Sequence, residues 1–410
     1  MNSVSNKLHH GWIVLISCCF IMFGTLGIIA NCMSVFIAQV NADMGFEMTY
    51  LVLYFTFMTI TLALFQPVAQ KIFQKLNVKL VGAIAVILPA VGMSLMTVYT
   101  SVEGFYLSGV INGIGLSFIT YLLIPTLMNK WFAVKLGLVM GIAMACSNLG
   151  GAVFSPIAGK LIATMGWRPA CLLLAGLSVV ISLPFALFGI TRDPKEKGLE
   201  PYGADQVSKA GNTQQLTGLT LKEAAKTPWL YLVFVSVIGM FFFANFQPQI
   251  VKFATTTGFP IEKAAVVGSM LMIGSVVGKV GLGYINDKLG TIACVTIGGG
   301  CGIAGLLLFI MGSEPKAVFI GAVLFGIGFA MMSIVPPLLV RKSMGSLHFA
   351  AIFSVVASVG TVTSAISNPI YGAIYEGNGT YVPGLIAAAI SMGVVILCGI
   401  VIGGRKAASK

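Results

Sequence analysis

Charge is scarce in this chain, and negative charge is scarcer still. Of 410 residues only 9% are charged, with twelve Asp and Glu against 24 Lys and Arg. The acids are Asp43, Glu47, Glu103, Asp193, Glu196, Glu200, Asp205, Glu223, Glu262, Asp287, Glu314 and Glu376, and each lies at the end of an apolar run or between runs. No carboxylate is therefore placed at mid-membrane to pair a lipophilic cation or relay protons. Histidine is limited to His9, His10 and His348, too separated for a metal triad or an acid–base pair and read as surface residues. The eight cysteines fall within or at the edges of apolar runs, with no CxxC pair, which excludes a disulfide framework and a zinc site and leaves them as small buried hydrophobes. Gly298 to Gly302 is glycine-rich but lacks the Lys-Ser/Thr of a phosphate loop, so helix packing explains it better. The expectation is a protein that is not an enzyme and needs no metal or cofactor.

What is present is hydrocarbon: 57% of the residues are hydrophobic. A spanning helix takes about 20 mostly apolar residues. Twelve such runs are found near 11–39, 47–70, 79–99, 104–129, 136–163, 169–190, 229–256, 263–286, 290–312, 316–341, 346–375 and 382–403. The first has no small-residue cleavage site after it and is taken as a span, not a removed leader. The one long polar interruption, Thr191 to Pro228, divides the runs six and six. The chain thus reads as an all-α membrane protein with a six-helix bundle over 1–190, a central loop over 191–228 and a second bundle over 229–410. Within the loop, Thr220 and Glu223 have capping-box spacing for a short surface helix that Pro228 stops.

The net charge of +12 sits in short clusters between runs, which argues against nucleic acid and for membrane topology. With the N-terminus inside, 18 Lys and Arg fall in inner segments and 5 in outer ones, so both termini are expected in the cytoplasm. One cation is left over. Lys279 lies within the eighth run, where an ammonium costs ~2.5–3.5 kcal/mol on insertion scales. Eight residues separate it from Asp287, which at 1.5 Å per residue places it ~12 Å into a core of ~30 Å. Ser275, Met272 and Ser269 share its helical face. Two readings of Lys279 stand at this point: an anion-binding group in a substrate path, or a buried lysine tied to a carbonyl of a neighbouring helix.

An internal repeat recurs at an offset of 213 residues, matching Pro156-x-x-Gly159 to Pro369-x-x-Gly372 and Gln74-Lys75-Leu76-Asn77 to Asp287-Lys288-Leu289-Gly290. Gln66 is thereby the repeat mate of Lys279 and a candidate neutral hydrogen-bonding group from the other half. Two parallel six-span halves with a site between them near the midplane are the layout of one large transporter class.

Gly283-Tyr-Ile-Asn-Asp287-Lys288-Leu-Gly290 resembles the G-x-x-x-D-[RK]-x-G loop of the major facilitator superfamily, and the likeness runs over essentially the full chain. That resemblance implies a gating role for Gly283, Asp287, Lys288 and Gly290. In the first copy Gln70, Gln74 and Asn77 replace the Gly, Asp and Gly. Asn129-Lys-Trp131-Phe, Gly137-Leu-Val-Met-Gly141 and Gly166-Trp-Arg168 are similar to the branch holding bacterial oxalate:formate antiporters and monocarboxylate transporters. The resemblance implies that Lys279 binds a substrate carboxylate and that Tyr121 lines the site. Asn31, Phe329 and Ser333 stand where that branch has larger aromatics. Phe349 to Asn368 contains no charge, so the second cation of the oxalate antiporter has no counterpart here. A monomeric transporter in the cytoplasmic membrane is expected, carrying a small organic monocarboxylate by proton symport or anion exchange. The alternatives are an efflux pump for amphipathic or anionic compounds and a non-transporting receptor of transporter ancestry.

Overall fold

The computed structural model describes residues 9–205, 218–257, 261–311 and 315–404. Lys7, Lys209, Glu314, Arg405, Lys406 and Lys410, which entered the charge reading, lie outside them, as does 206–217 of the central loop. The described chain is almost entirely helical. In hydrocarbon a helix satisfies each backbone N–H and C=O within its own segment, which is why β-branched and glycine-rich runs still form helices here.

The crossings are α1 (His10–Asn41), α2 (Met48–Lys75), α3 (Val78–Leu95), α4 (Val102–Trp131), α5 (Leu136–Met165), α6 (Trp167–Gly189) and α7 (Pro228–Gln249). Then Ile261–Met311 holds both α8 and α9, and α10 (Pro315–Met344), α11 (Phe349–Asn378) and α12 (Val382–Gly403) follow. Among the described residues eleven helices are long and apolar enough to cross a membrane, and the 51-residue one doubles back at Gly290, giving twelve crossings. At Gly290 φ is 86° and ψ 173°, a region that only glycine enters without strain. The face carrying the start of α1 and the end of α12 is termed the terminal face, and the opposite one the distal face.

Among the described residues three crossings are locally underwound into π-helices, α1, α4 and α6, and the distortions in α1 and α4 fall near candidate site residues. Pro125 lacks an N–H for the carbonyl of residue 121, and Ile119–Leu123 of α4 adopts a π-helix. α1 passes through a π-helix at Met22–Ala30 and breaks at Asn31 and Cys32.

Small residues set the closest helix contacts. A Cβ on Gly150 would strike the Phe23 carbonyl, and one on Gly274 the Val323 carbonyl, so α1–α5 and α8–α10 touch backbone to backbone. Gly281 has nothing within 4 Å of its Cβ position. It lies on a face of α8 that meets no neighbour. The first half packs around two apolar clusters, containing for example Trp131 and Trp167, and the second half around one centred on Phe243, Phe325 and Tyr371. The halves meet where α2 runs along α11 and α5 along α8.

The central loop is fastened at both described ends. Tyr202 bridges Phe132 and Gly218 bridges Gly345, and the partners Phe132 and Gly345 are themselves 213 apart, the repeat offset. The capping box forms as expected, with the Thr220 N–H donating to Glu223 Oε2 at 2.8 Å. That bond holds the exposed Glu223 carboxyl below its ordinary range. Pro228 does not stop this helix, which ends at Ala224; it opens α7 at the first position, where its missing N–H costs nothing.

Where the first half lacks the motif aspartate, an arginine holds the end of α2 instead. Arg192 donates to the carbonyls of Phe73, Gln74 and Leu76, the last at 2.7 Å, and lies over the Phe73 ring. Hydrogen bonds from a charged donor contribute ~1.5–3 kcal/mol. Arg192→Gln is therefore expected to lower the thermal midpoint of the detergent-solubilised protein by several degrees; an unchanged midpoint would show the clamp to be idle.

Candidate functional site

The site is built on the inter-bundle face of α8. Gly283, Lys279, Ser275 and Met272 follow one another along it at helical spacing. Facing them on α5 are Gly137, Gly141, Met144 and Asn148. A Cβ on Gly283 would strike the Gly137 carbonyl and one on Gly141 the Lys279 carbonyl, so the two backbones are in contact over the half of the pair nearest the terminal face.

The terminal end of this contact is sealed electrostatically. The Asp287 carboxylate accepts from the Gly137 N–H at 2.8 Å and the Leu138 N–H at 2.7 Å. Those amides belong to the first turn of α5, where N–H groups have no helical partner and the macrodipole favours an anion. Ile334 and Leu338 of α10 pack into the first half's core, and Arg341 donates to the Phe132 carbonyl at 3.4 Å. Of the other motif residues, Lys288 turns away to lie 4.9 Å over the Tyr284 ring, and Gly290 makes the reversal already described. In the degraded first copy, Gln70 is buried with its amide nitrogen unpartnered, and Asn77 caps α3.

Lys279 is the only charged side chain among the described residues that is buried, at 4% exposed. Its ammonium points neither to lipid nor to an acid. It donates to the Met144 carbonyl of α5 at 3.2 Å, so in this conformation the lysine is tied to a neighbouring helix. The same carbonyl accepts from Ser147 Oγ at 2.9 Å. Asn31, at the break in α1, donates to the Ser147 carbonyl at 2.7 Å. One turn towards the distal face, Asn148 Nδ2 donates to Ser275 Oγ at 3.1 Å. Lys279, Ser275 and Asn31 therefore belong to one polar chain that runs through Ser147 and Asn148.

Beyond that rung the helices part. Met272 is 37% exposed on the face where Ser275 is fully buried. On α5 Ala152 is exposed, and a Cβ on Gly159 would meet nothing within 4 Å. Gly372, the repeat mate of Gly159 on α11, is equally open. Exposure thus rises along α5, α8 and α11 towards the distal face, beginning about one turn beyond the lysine.

The remaining candidates are placed around this point without joining the chain. Gln66 is buried between α2 and α11, accepting from Ser358 Oγ at 3.1 Å and donating to Thr361 Oγ1 at 3.5 Å. It occupies the pseudo-symmetric counterpart of the Lys279 position without touching Lys279. Tyr121 sits in the π-helical turn of α4 and faces across to Phe241 of α7, with ring centroids 6.3 Å apart. Phe329 and Ser333 on α10 are half-buried, and Phe329 packs on the second half's core. Ser147 and Asn148 were missed from the sequence. The signal was there: a hydroxyl and an amide side by side in the middle of an apolar span, with Gly150 and Gly151 just after them.

Comparisons with known proteins bear on the whole chain. Residues 13–368 match the family model described as Major Facilitator Superfamily. Monocarboxylate transporter 12 of Xenopus laevis is 24% identical over 418 residues, covering 97% of this chain and 88% of that protein. Its namesake from Homo sapiens is 22% identical over 408 residues, covering 93% and 78%. Among solved structures, the transporter FucP in its outward conformation superposes with a TM-score of 0.72 at 11% identity, covering 96% of this chain and 99% of that one. A bacterial homologue of the iron transporter ferroportin, in its outward-facing state, gives 0.71 at 14% identity, covering 97% and 100%. At those identities the structural likeness speaks for the fold alone. Twelve crossings in two repeat-related bundles, with the family match over most of the length, place the chain in the major facilitator superfamily of membrane transporters.

Proposed function

We propose that this protein is a secondary active transporter that moves a small organic monocarboxylate across the cytoplasmic membrane by alternating access, with Lys279 as its anion-binding group. The observation that carries the reading is a buried cation with no carboxylate partner, held on a peptide carbonyl about one turn from the exposed Met272. A lysine kept for structure alone would be expected to find an acid or leave the hydrocarbon. The name shared by the relatives supports the substrate class. The terminal face is the cytoplasmic one in this reading, so Asp287 and the Gly137–Gly283 contact form the inner gate, and the described conformation is open to the outside.

Exchange of one anion for another needs no proton. Symport would carry the proton on the substrate carboxyl or on Lys279, since among the described residues no acid is buried. Proteoliposomes preloaded with unlabelled lactate, pyruvate or formate and diluted into the labelled acid test both points. Labelled acid should accumulate transiently by counterflow, and acidification of the lumen during net uptake marks symport. Absence of counterflow with all three acids would overturn the reading.

A further inference from the structure

Lys279 alone does not complete a carboxylate site, because a carboxylate has two oxygens and about four lone-pair positions to satisfy. The structure supplies a second donor at the right place. We infer that Asn148 is the partner of Lys279 in holding the substrate carboxylate and the residue that restricts the site to substrates with a single charge. This inference rests on the carboxylate reading above.

Met144 and Asn148 are one turn apart on α5, and Ser275 and Lys279 are one turn apart on α8. The two rungs between these helices run in opposite senses. Lys279 Nζ donates from α8 to the Met144 carbonyl at 3.2 Å, and Asn148 Nδ2 donates from α5 to Ser275 Oγ at 3.1 Å. Two donors from opposite bundles thus lie within a helical turn of each other, each resting on a neutral acceptor. A carboxylate is a stronger acceptor than either a peptide carbonyl or a hydroxyl, because bonds to a charged acceptor are shorter and about twice as strong. An anion approaching from the distal side meets the half-buried Asn148 rung first and the lysine one turn deeper. Taking both donors, it replaces two direct bonds between the bundles with a bridge through itself.

The amide is oriented for this. Ser147 Oγ lies 3.5 Å from Asn148 Oδ1 and 2.9 Å from the Met144 carbonyl, which places the amide oxygen toward Ser147 and the NH2 toward α8. Asn31 braces the same turn of α5 through the Ser147 carbonyl. Specificity follows from charge. One ammonium and one neutral amide match one carboxylate, whereas a dicarboxylate would bring a second negative charge into a site that has no second buried cation among the described residues.

The test uses the full-length protein in proteoliposomes, with whichever of lactate, pyruvate or formate gives counterflow in the wild type as probe, and oxalate as competitor. Asn148→Ala is expected to raise the KM for the probe about tenfold or more, the effect of losing a hydrogen bond to a charged group. Asn148→Ser, which keeps a hydroxyl donor, should fall between. Asn148→Lys should convert oxalate from a weak into a strong competitor, a gain that a merely structural role for Asn148 does not produce. Monodispersity on gel filtration establishes that each variant is folded, and the Ala and Ser pair decides the matter if the Lys variant does not insert. An unchanged KM in Asn148→Ala, or equal KM values for the Ala and Ser variants, overturns the inference. Lys279→Gln separates the two proposals: loss of uptake in that variant with normal behaviour of Asn148→Ala removes the role of Asn148 and leaves the carboxylate reading standing.

Discussion

Replacing Lys279 by Gln is expected to reduce carboxylate uptake by roughly two orders of magnitude, while Lys279→Arg retains a measurable part of it. Truncating one member of a desolvated, hydrogen-bonded charge pair costs ~2–5 kcal/mol, and each 1.4 kcal/mol is a factor of ten in affinity. Gln retains a donor and much of the length, so it keeps a hydrogen bond to the Met144 carbonyl within reach and disturbs the packing of α5 on α8 little. What it removes is the charge. Arg restores the charge with a larger, planar head in a buried site whose described partner is one carbonyl, so its KM should rise while uptake survives. The measurement is initial-rate uptake into proteoliposomes, normalised to inserted protein. Equal rates for wild type and Lys279→Gln would mean that the lysine is only a stitch between two helices.

The second large effect is expected at the proposed inner gate. Gly283 and Gly137 meet backbone to backbone, and a side chain at either would occupy the other's carbonyl. Overpacking a close contact costs ~1–3 kcal/mol. That cost falls only on the conformation in which α5 and α8 touch. Gly283→Val should therefore shift the population towards the inward-open state by roughly five- to a hundredfold and slow transport correspondingly. Hydrogen–deuterium exchange reads the shift without a label, because the Gly137 and Leu138 amides are held by Asp287 only while the gate is shut. Faster exchange over the start of α5 is the expected result, and unaltered exchange with lost transport would place the defect elsewhere. Asp287→Asn should move exchange in the same direction by less, since it keeps an acceptor and loses the interaction of an anion with the helix N-terminus.

Much of this molecule can be read from its order of residues. The apolar runs, the single long polar interruption and the Gly283–Gly290 motif together give twelve crossings and two halves, and the structure agrees with them. Hydropathy works because lipid leaves the backbone almost no choice but helix. The face that Lys279 shares with Ser275 and Met272 was legible for the same reason: helical spacing is fixed once the helix is. Gln66 was legible as a repeat mate, but its partners Ser358 and Thr361 were not. They come from α11, nearly 300 residues along the chain, and no local pattern announces which helix will lie alongside which.

Position in sequence, then, determined the composition of the membrane-crossing elements, their number and the one cation left inside them, since burying a charge in hydrocarbon is costly wherever the helices go. Only tertiary structure decided what that cation touches. The glycines at 137, 141 and 283 let α5 approach α8 to backbone contact, and that closeness brings the Met144 carbonyl to the ammonium and sets the Asn148 amide one turn above it. Hydrogen-bond partners depend on distances of a few tenths of an ångström between helices far apart in the chain, and those distances are set by packing, not by periodicity.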